Sequence, residues 1–270
     1  ACSKTNTGQP PAGRSDDLTI DVTHPYLDWP GPLAFAHRGG ASDFPENTLP
    51  AFRHAVDLGY TYLETDVHAT ADGVLVAFHD PDLQRTCNVP GRIDSLPWSE
   101  VAQARVAGTE PIPRFVDLLD EFPHARINVD CKEESGVAPL VELLRSRPEL
   151  RRRLLVGSFD DRRSQRIRAA VGADLLTNLG TRRVAALRFT GRFPASGGAA
   201  QVPVRVGKLT VVTPRFIAAA HTRGIHVHVW TIDDPDEMHR LLDLGVDGIM
   251  TDRPTVLKQV LVERGSWVEP

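Results

Sequence analysis

The stretch LAFAHRGG at Leu33–Gly40, followed by DFPENTLPAFRHAVDLGYTYLETDVHATADGVLVAFHD at Asp43–Asp80, decides how this chain is read. Leu33 to Ala36 is a short apolar run of the kind a strand buried on both faces gives. It stops at His37, Arg38 and the helix-hostile pair Gly39 and Gly40. Asn47 or Thr48 is placed to cap a following helix, Pro50 fits its first turn, and Phe52, Val56 and Leu58 supply an apolar stripe closed by Gly59. Tyr60 to His68 then reads as a second strand. Side chains alternate along a strand, so Glu64 and Asp66 share one face while Leu63, Thr65 and Val67 share the other. Two carboxylates on one face of a buried strand repel unless a cation lies between them, and hard oxygen ligands of this kind suit Mg²⁺ or Ca²⁺.

Beyond Glu110 the pattern settles into alternation. Strands are expected at Arg126 to Lys132, Leu154 to Phe159, Asp174 to Thr177, Gln201 to Val204, Ile225 to Thr231 and Gly248 to Thr251. Helices are expected at Arg114 to Glu121, Val137 to Ser146, Asp161 to Ala170, Thr181 to Phe189, Pro214 to Thr222, Asp234 to Leu242 and Pro254 to Val262. This is an α/β chain of parallel βα units, about eight of them, which suits a closed barrel or an open sheet. Residues 1 to 17 are polar and rich in Gly, Pro and Ser, and read as a disordered segment. Between Pro81 and Glu110 Gly and Pro are scattered, with one short helix expected at Ser99 to Ala104, capped by Ser95 or Ser99.

Composition narrows the function classes. The chain has 270 residues, 41% hydrophobic and 24% charged, with a formal net charge of −4. A single barrel domain needs about 250 residues. The charge balance offers no basic patch for nucleic acid, and no run approaches the ~20 apolar residues of a membrane span. Cys2, Cys87 and Cys131 are too few for a disulfide framework and fit a reducing compartment. The expected location is therefore cytoplasmic. Secretion or lipid anchoring is the alternative if Ala1 and Cys2 are the remnant of a lipoprotein cleavage site. The sequence leaves the oligomeric state open.

The strings HRG, PENT, ETDV and TADGVLVAFHD, with NVDCK, VWTID and GVDGIMTDRP later in the chain, resemble the glycerophosphodiester phosphodiesterase family. The likeness runs from about Leu33 to about Leu257, with the motifs in order. It implies a (β/α)₈ TIM barrel over residues 31–270, preceded by an N-terminal extension over residues 1–30 and carrying a small insertion, about 81–110, after the second strand. Active sites of such barrels lie at the carboxyl ends of the strands. That rule brings His37, Arg38, Glu64, Asp66, His79, Asp130, Lys132, Trp230 and Asp252 to one mouth.

These residues suit metal-assisted phosphodiester cleavage. A divalent ion on Glu64, Asp66 and Asp130 would polarise a phosphoryl oxygen, while Arg38 and Lys132 neutralise phosphate charge. Lys132 is one of four lysines among 31 basic residues. Two histidines would divide the proton work, and the resemblance assigns that to His37 and His79. It also gives Glu46, in PENT, a supporting role. The family pattern has Glu where Asp130 stands; the shorter carboxylate leaves room for a water between it and a metal. Cys131 points the other way, into the core. His226 and His228 read as buried, hydrogen-bonded residues, and Arg151 to Arg153 as a solvated face.

The substrate implied by the resemblance is a small glycerophosphodiester, cleaved to sn-glycerol 3-phosphate and an alcohol. Trp230, with Phe159 beside it, would pack against the glycerol carbons. A wall for an acyl chain is sought in the insertion, whose Leu83, Val89, Ile93, Leu96, Trp98 and Val101 are interrupted by Pro, Gly and charge. A deacylated substrate is therefore expected. Other readings are a lipid-cleaving relative of the lysophospholipase D or sphingomyelinase D type, and a barrel that binds a phosphodiester without turning it over.

Overall fold

The structure, a computed structural model, describes residues 24–191 and 198–270. The disordered segment expected over residues 1 to 17 lies outside them, as does part of the Gly-Pro-rich loop before Ala199. Among the described residues, eight parallel strands run β1 (Leu33–Ala36), β2 (Tyr62–Ala69), β3 (Arg126–Cys131), β4 (Leu154–Gly157), β5 (Leu176–Thr177), β6 (Ala199–Pro203), β7 (His226–Trp230) and β8 (Gly248–Thr251). They pair in the order β5-β4-β3-β2-β1-β8-β7-β6. A parallel bridge between Asn178 and Ala199 joins the two ends. There Leu179 N–H donates to the Ala199 carbonyl at 2.8 Å, so the sheet closes into a barrel.

Eight helices wrap it: α1 (Leu49–Asp57), α2 (Phe115–Glu121), α3 (Val137–Ser146), α4 (Asp161–Val171), α5 (Thr181–Thr190), α6 (Pro214–His221), α7 (Pro235–Leu244) and α8 (Pro254–Glu263). Alternation along the strands divides the core. Leu63 and Val67 of β2 and Ile127 and Val129 of β3 meet the helices, whereas Leu33, Phe35, Tyr62, Leu155 and Met250 fill the barrel interior. Cys131 is fully buried in the outer layer, as its parity requires. No helix among the described residues is long and apolar enough to cross a membrane.

Several local expectations are corrected. Thr48 precedes α1 but makes no side-chain cap; its hydroxyl donates to the Pro45 carbonyl at 2.7 Å. The buried face of α1 is Ala51, Phe52 and Ala55, and Val56 is exposed. The short insertion helix is Trp98–Val101, without a serine cap. Asp72, from the turn after β2, accepts its first N–H at 2.9 Å instead. Arg153 is not solvated: its guanidinium donates to the carbonyls of Leu119, Phe122 and Ala125, tying α2 to the strand behind it.

The extension is also more than a tail. Tyr26 is fully buried against the interior ring of Tyr62, 5.3 Å away edge to face. The Tyr62 hydroxyl donates to the Tyr26 carbonyl at 2.6 Å, and Arg126 donates to the Asp28 carbonyl while lying over Trp29. Residues 24–29 therefore seal the end of the barrel where the strands begin, leaving one open mouth. The insertion, in turn, follows a short antiparallel strand, Leu75–Ala77, paired to β2. Its Leu83, Ile93, Val101 and Val106 form a separate small core with Val76 and Phe78.

Gly39 sets the turn out of β1. Its φ is +86°, and a Cβ there would lie 2.8 Å from the Ala51 Cβ and 2.9 Å from the Phe52 backbone nitrogen. Gly191 has φ +62° but open space around it. Gly39→Ala is expected to destabilise the chain by about 2–4 kcal/mol, combining left-handed strain with overpacking, against about 1 kcal/mol for Gly191→Ala. Equal costs in chemical denaturation would show that the approach of this turn to α1 is not a tight contact.

Candidate active site

At the carboxyl ends of the strands lies a cavity of about 340 Å³. His37, Arg38, Glu64, Asp66, His79, Asp130, Lys132, Phe159 and Trp230 all line it. Glu46 and Asp252 stand behind that surface, each holding a residue that lines it.

β2 supplies the charge. Glu64 and Asp66 are both nearly inaccessible inside the barrel. Burial, reinforced by the negative charge of Asp66, pushes Glu64 up to about 7. Burial also opposes ionisation of Asp66, but Lys132 and Arg38 outweigh it and hold this carboxyl below its ordinary range. Lys132 Nζ lies 2.7 Å from Asp66 Oδ1 and 2.7 Å from Asp130 Oδ2. Those two carboxylates keep the ammonium charged despite its burial, raising its pKa. The second oxygen of Asp130, Oδ1, is buried without a hydrogen-bond partner.

The loop after β1 is built onto these carboxylates. Arg38 adopts φ +52°, which aims its backbone N–H at Glu64 Oε2, 3.0 Å away. Its side chain reaches Glu46 Oε1 at 3.1 Å and approaches Asp66 Oδ2 at 3.2 Å. Asn47, with φ +57°, donates to Asp66 at 3.3 Å and accepts from the Thr65 hydroxyl at 2.8 Å. Asn47 is thus a site residue, not a helix cap.

Both histidines present the same nitrogen to a carboxylate. His37 Nδ1 is 2.7 Å from Asp252 Oδ1, and His79 Nδ1 is 2.6 Å from Asp80 Oδ1. An ionised carboxylate only accepts, so the proton of each neutral ring sits on Nδ1 and Nε2 is left as the reactive nitrogen. Burial works against charge on His37, but Glu64, 3.8 Å from Nε2, and Asp252 outweigh it and raise its pKa. The His79 carbonyl accepts from buried His68 Nε2 at 2.9 Å.

Asp252 is expected at the mouth without a role, and neither Asp80 nor Arg85 stands out among the expected site residues. Arg85, from the insertion, contacts Asp80 at 2.5 and 3.0 Å and Glu46 at 2.6 and 2.9 Å. Its bonds hold Asp80 down at about 2. One guanidinium therefore fixes both the partner of His79 and the partner of Arg38. The adjacency of His79 and Asp80 was a usable signal; nothing in the spacing marks Arg85.

Two further expectations change. His228 is fully buried and neither ring nitrogen has a partner; His226 Nδ1 has none either. They pack as rings, His228 at 4.9 Å from Phe35, and burial depresses the His228 pKa. The apolar side of the mouth is also elsewhere than sought. No residue of the 81–110 insertion lines the cavity. Instead Phe159 and Trp230, edge to face at 5.9 Å, share the opposite side with Leu179, Val184, Val206 and Val211, interspersed with the polar Asn178, Thr181 and Gln201.

As to a metal, no three His, Cys, Asp or Glu side chains among the described residues form a preformed cluster, and Lys132 bridges two of the expected ligands. The donor set is nevertheless all oxygen. Unpartnered Asp130 Oδ1 and the strained Glu64 are where further positive charge would be accommodated, so the residues fit a hard divalent ion.

Residues 37–256 match the model of the glycerophosphoryl diester phosphodiesterase family. The chain is 38% identical over 252 residues to a Mycobacterium tuberculosis protein named probable glycerophosphodiester phosphodiesterase 2, covering 90% of this chain and 95% of that one. It is 29% identical over 277 residues to a human lysophospholipase D, covering 84% and 85%. Two solved structures share the fold. One is a glycerophosphodiester phosphodiesterase of Agrobacterium tumefaciens, with TM-score 0.70, 24% identity, and 84% and 99% coverage. The other is an Oleispira antarctica phosphodiesterase in complex with the product sn-glycerol-3-phosphate, with TM-score 0.72, 23% identity, and 86% and 97% coverage. With the barrel, its mouth and the motif order in agreement, the chain belongs to the glycerophosphoryl diester phosphodiesterase family.

Proposed function

We propose that this chain hydrolyses glycerophosphodiesters to sn-glycerol 3-phosphate and an alcohol. In this reading His37 and His79 are the acid and base, and a divalent ion, Mg²⁺ or Ca²⁺, is held by Glu64, Asp66 and Asp130. The observation that carries it is the matched pair of histidines, each with Nδ1 on a carboxylate, lining a cavity that also holds Arg38 and Lys132.

Nε2 of one histidine accepts the proton of the attacking water, and Nε2 of the other donates to the departing alkoxide. Each imidazolium is stabilised by the carboxylate behind it, Asp252 or Asp80. Arg38 and Lys132 neutralise the charge that builds on the phosphate oxygens. Glu46 keeps the Arg38 guanidinium in place. When bound, a divalent ion would supply a Lewis acid toward a nonbridging phosphoryl oxygen.

His37→Ala and His79→Ala should each lower kcat on glycerophosphocholine by at least about 100-fold. A variant that keeps near-normal kcat removes its histidine from the mechanism. Excess chelator is expected to abolish turnover, with recovery on adding Mg²⁺ or Ca²⁺, and Glu64→Ala or Asp66→Ala should stay folded yet unresponsive to metal. Full turnover in chelator sinks the metal assignment.

Glu64 gives a stability prediction independent of turnover. Its pKa is raised on folding, so folding favours the protonated form; that contribution is complete below the ordinary value of 4.5 and is lost as pH rises through about 7. In chelator, Glu64→Gln should therefore stabilise the chain above pH ~7 by on the order of 2 kcal/mol and change little near pH 4.5. Thermal melts at both pH values check this; a variant less stable than the parent at both contradicts it.

A further inference from the structure

We propose that Arg85 is a positioning residue for the reaction. Its guanidinium binds the carboxylates behind His79 and Arg38 into one rigid unit, so that proton transfer at the histidine and phosphate binding at the arginine depend on the same side chain. The inference rests on the phosphodiesterase reading above. Arg85 acts only through its partners, since it does not line the cavity.

The bonds run in a single line. His79 Nδ1 lies 2.6 Å from Asp80 Oδ1, and Arg85 Nη2 donates to that same oxygen at 3.0 Å. Nη2 also donates to Glu46 Oε1 at 2.6 Å, the oxygen that accepts from Arg38 Nη1 at 3.1 Å. One nitrogen thus joins the two oxygens that orient the histidine and the arginine. Two further bonds, Nε to Asp80 Oδ2 at 2.5 Å and Nη1 to Glu46 Oε2 at 2.9 Å, make the contact with each carboxylate two-pronged. A carboxylate held at one oxygen can swing about its own torsion, whereas one held at both by a planar fork cannot.

Attachment of the insertion to the barrel is accomplished elsewhere. Its small core closes on Val76 and Phe78, Ala71 N–H donates to the Leu96 carbonyl at 2.8 Å, and Arg92 pairs with Glu133 at 3.4 Å. Arg85 stands instead on a helical turn, Gln84–Cys87, pinned by the burial of Leu83 and Cys87 and by Ala107 N–H donating to the Thr86 carbonyl at 2.8 Å. Its side chain is 49% exposed, so its ion pairs add little to stability. What they supply is the fixed orientation of two groups at the mouth, through which a segment that lines no part of the cavity reaches the chemistry.

The test compares Arg85→Ala with Arg92→Ala, an insertion arginine that pairs with the barrel away from Asp80 and Glu46. Glycerophosphocholine turnover gives kcat, and competition by sn-glycerol 3-phosphate gives a Ki for the phosphate end. A displacement of about 1 Å costs up to about 100-fold in rate, so Arg85→Ala should lower kcat by at least about tenfold and raise Ki as well. Its melting temperature should move by no more than about 4 °C. Arg92→Ala should keep both constants close to the parent's. Free guanidinium, far below denaturing concentrations, should restore part of both losses in Arg85→Ala, and equimolar tetramethylammonium should not. Arg85→Lys keeps the charge but not the fork, and should fall closer to Arg85→Ala than to the parent. A change in only one of kcat and Ki overturns the inference, since Arg85 would then serve one carboxylate alone. So does an equal loss in Arg92→Ala, which would make docking of the insertion the cause, and so does equal recovery with both salts. Parental kinetics in Arg85→Lys overturn it too, because charge alone then suffices; this variant decides the matter if Arg85→Ala does not fold. No turnover of any diester by the parent chain overturns the phosphodiesterase reading, and this inference with it.

Discussion

Two carboxylates buried side by side on β2 are the constraint on which the rest of this structure depends. A barrel interior strongly disfavours an isolated charge, and Glu64 and Asp66 lie on the same strand face. Their neighbours are arranged around that problem. Lys132 reaches back from the end of β3, Arg38 turns into the left-handed region to offer an N–H, and Asn47 does the same to donate an amide. The left-handed angles of Arg38 and Asn47 are thus accounted for by bonds to these oxygens. The arrangement favours ionised Asp66 and leaves Glu64 under strain, which is the asymmetry expected where a site is built for charge that arrives with a ligand.

Positive charge is then passed outward in layers. Arg38 is held by Glu46, Glu46 by Arg85, and Arg85 by Asp80, which also carries His79. The orientations of His79 and Arg38 are consequently linked through one guanidinium. This chain of ion pairs gains little from any single surface contact. Its effect is to fix geometry, since a planar fork bonded to two carboxylates can rotate neither of them.

The fold was legible in the sequence wherever periodicity acted over several residues. Parity along Tyr62–Ala69 put Glu64 and Asp66 inside and Leu63 and Val67 outside, and parity along Arg126–Cys131 sent Cys131 to the helices. Barrel closure was not legible from pattern, because β5 is two residues long and closes through a bridge just beyond it. His37, Arg38 and Lys132 were visible because they follow strand ends, and Glu64 and Asp66 because parity puts both on the inner face of β2. Their partners were not. Asp252 lies 215 residues from His37, and Arg85 sits in a segment whose Gly and Pro hide its return to the site. The apolar side of the mouth was missed for a related reason: Val206 belongs to a strand of two residues, too short to carry any period. His228 was misjudged because a buried imidazole is expected to find a partner, whereas this one is packed as an aromatic ring.

The hairpin after β6, Arg205–Val206 against Leu209–Thr210, has a consequence for how such a site can diversify. It is anchored to α5 and to its own base, and none of its bonds touches Asp80, Arg85, Glu46 or either histidine. The ion pairs of Asp80, Arg85 and Glu46 run through the insertion on one flank, while the apolar lining of the cavity stands on the other. Substitution or lengthening of the hairpin can therefore drift without disturbing any of those ion pairs, so that the shape of the cavity's apolar side and the geometry of its charged side vary on separate parts of the chain.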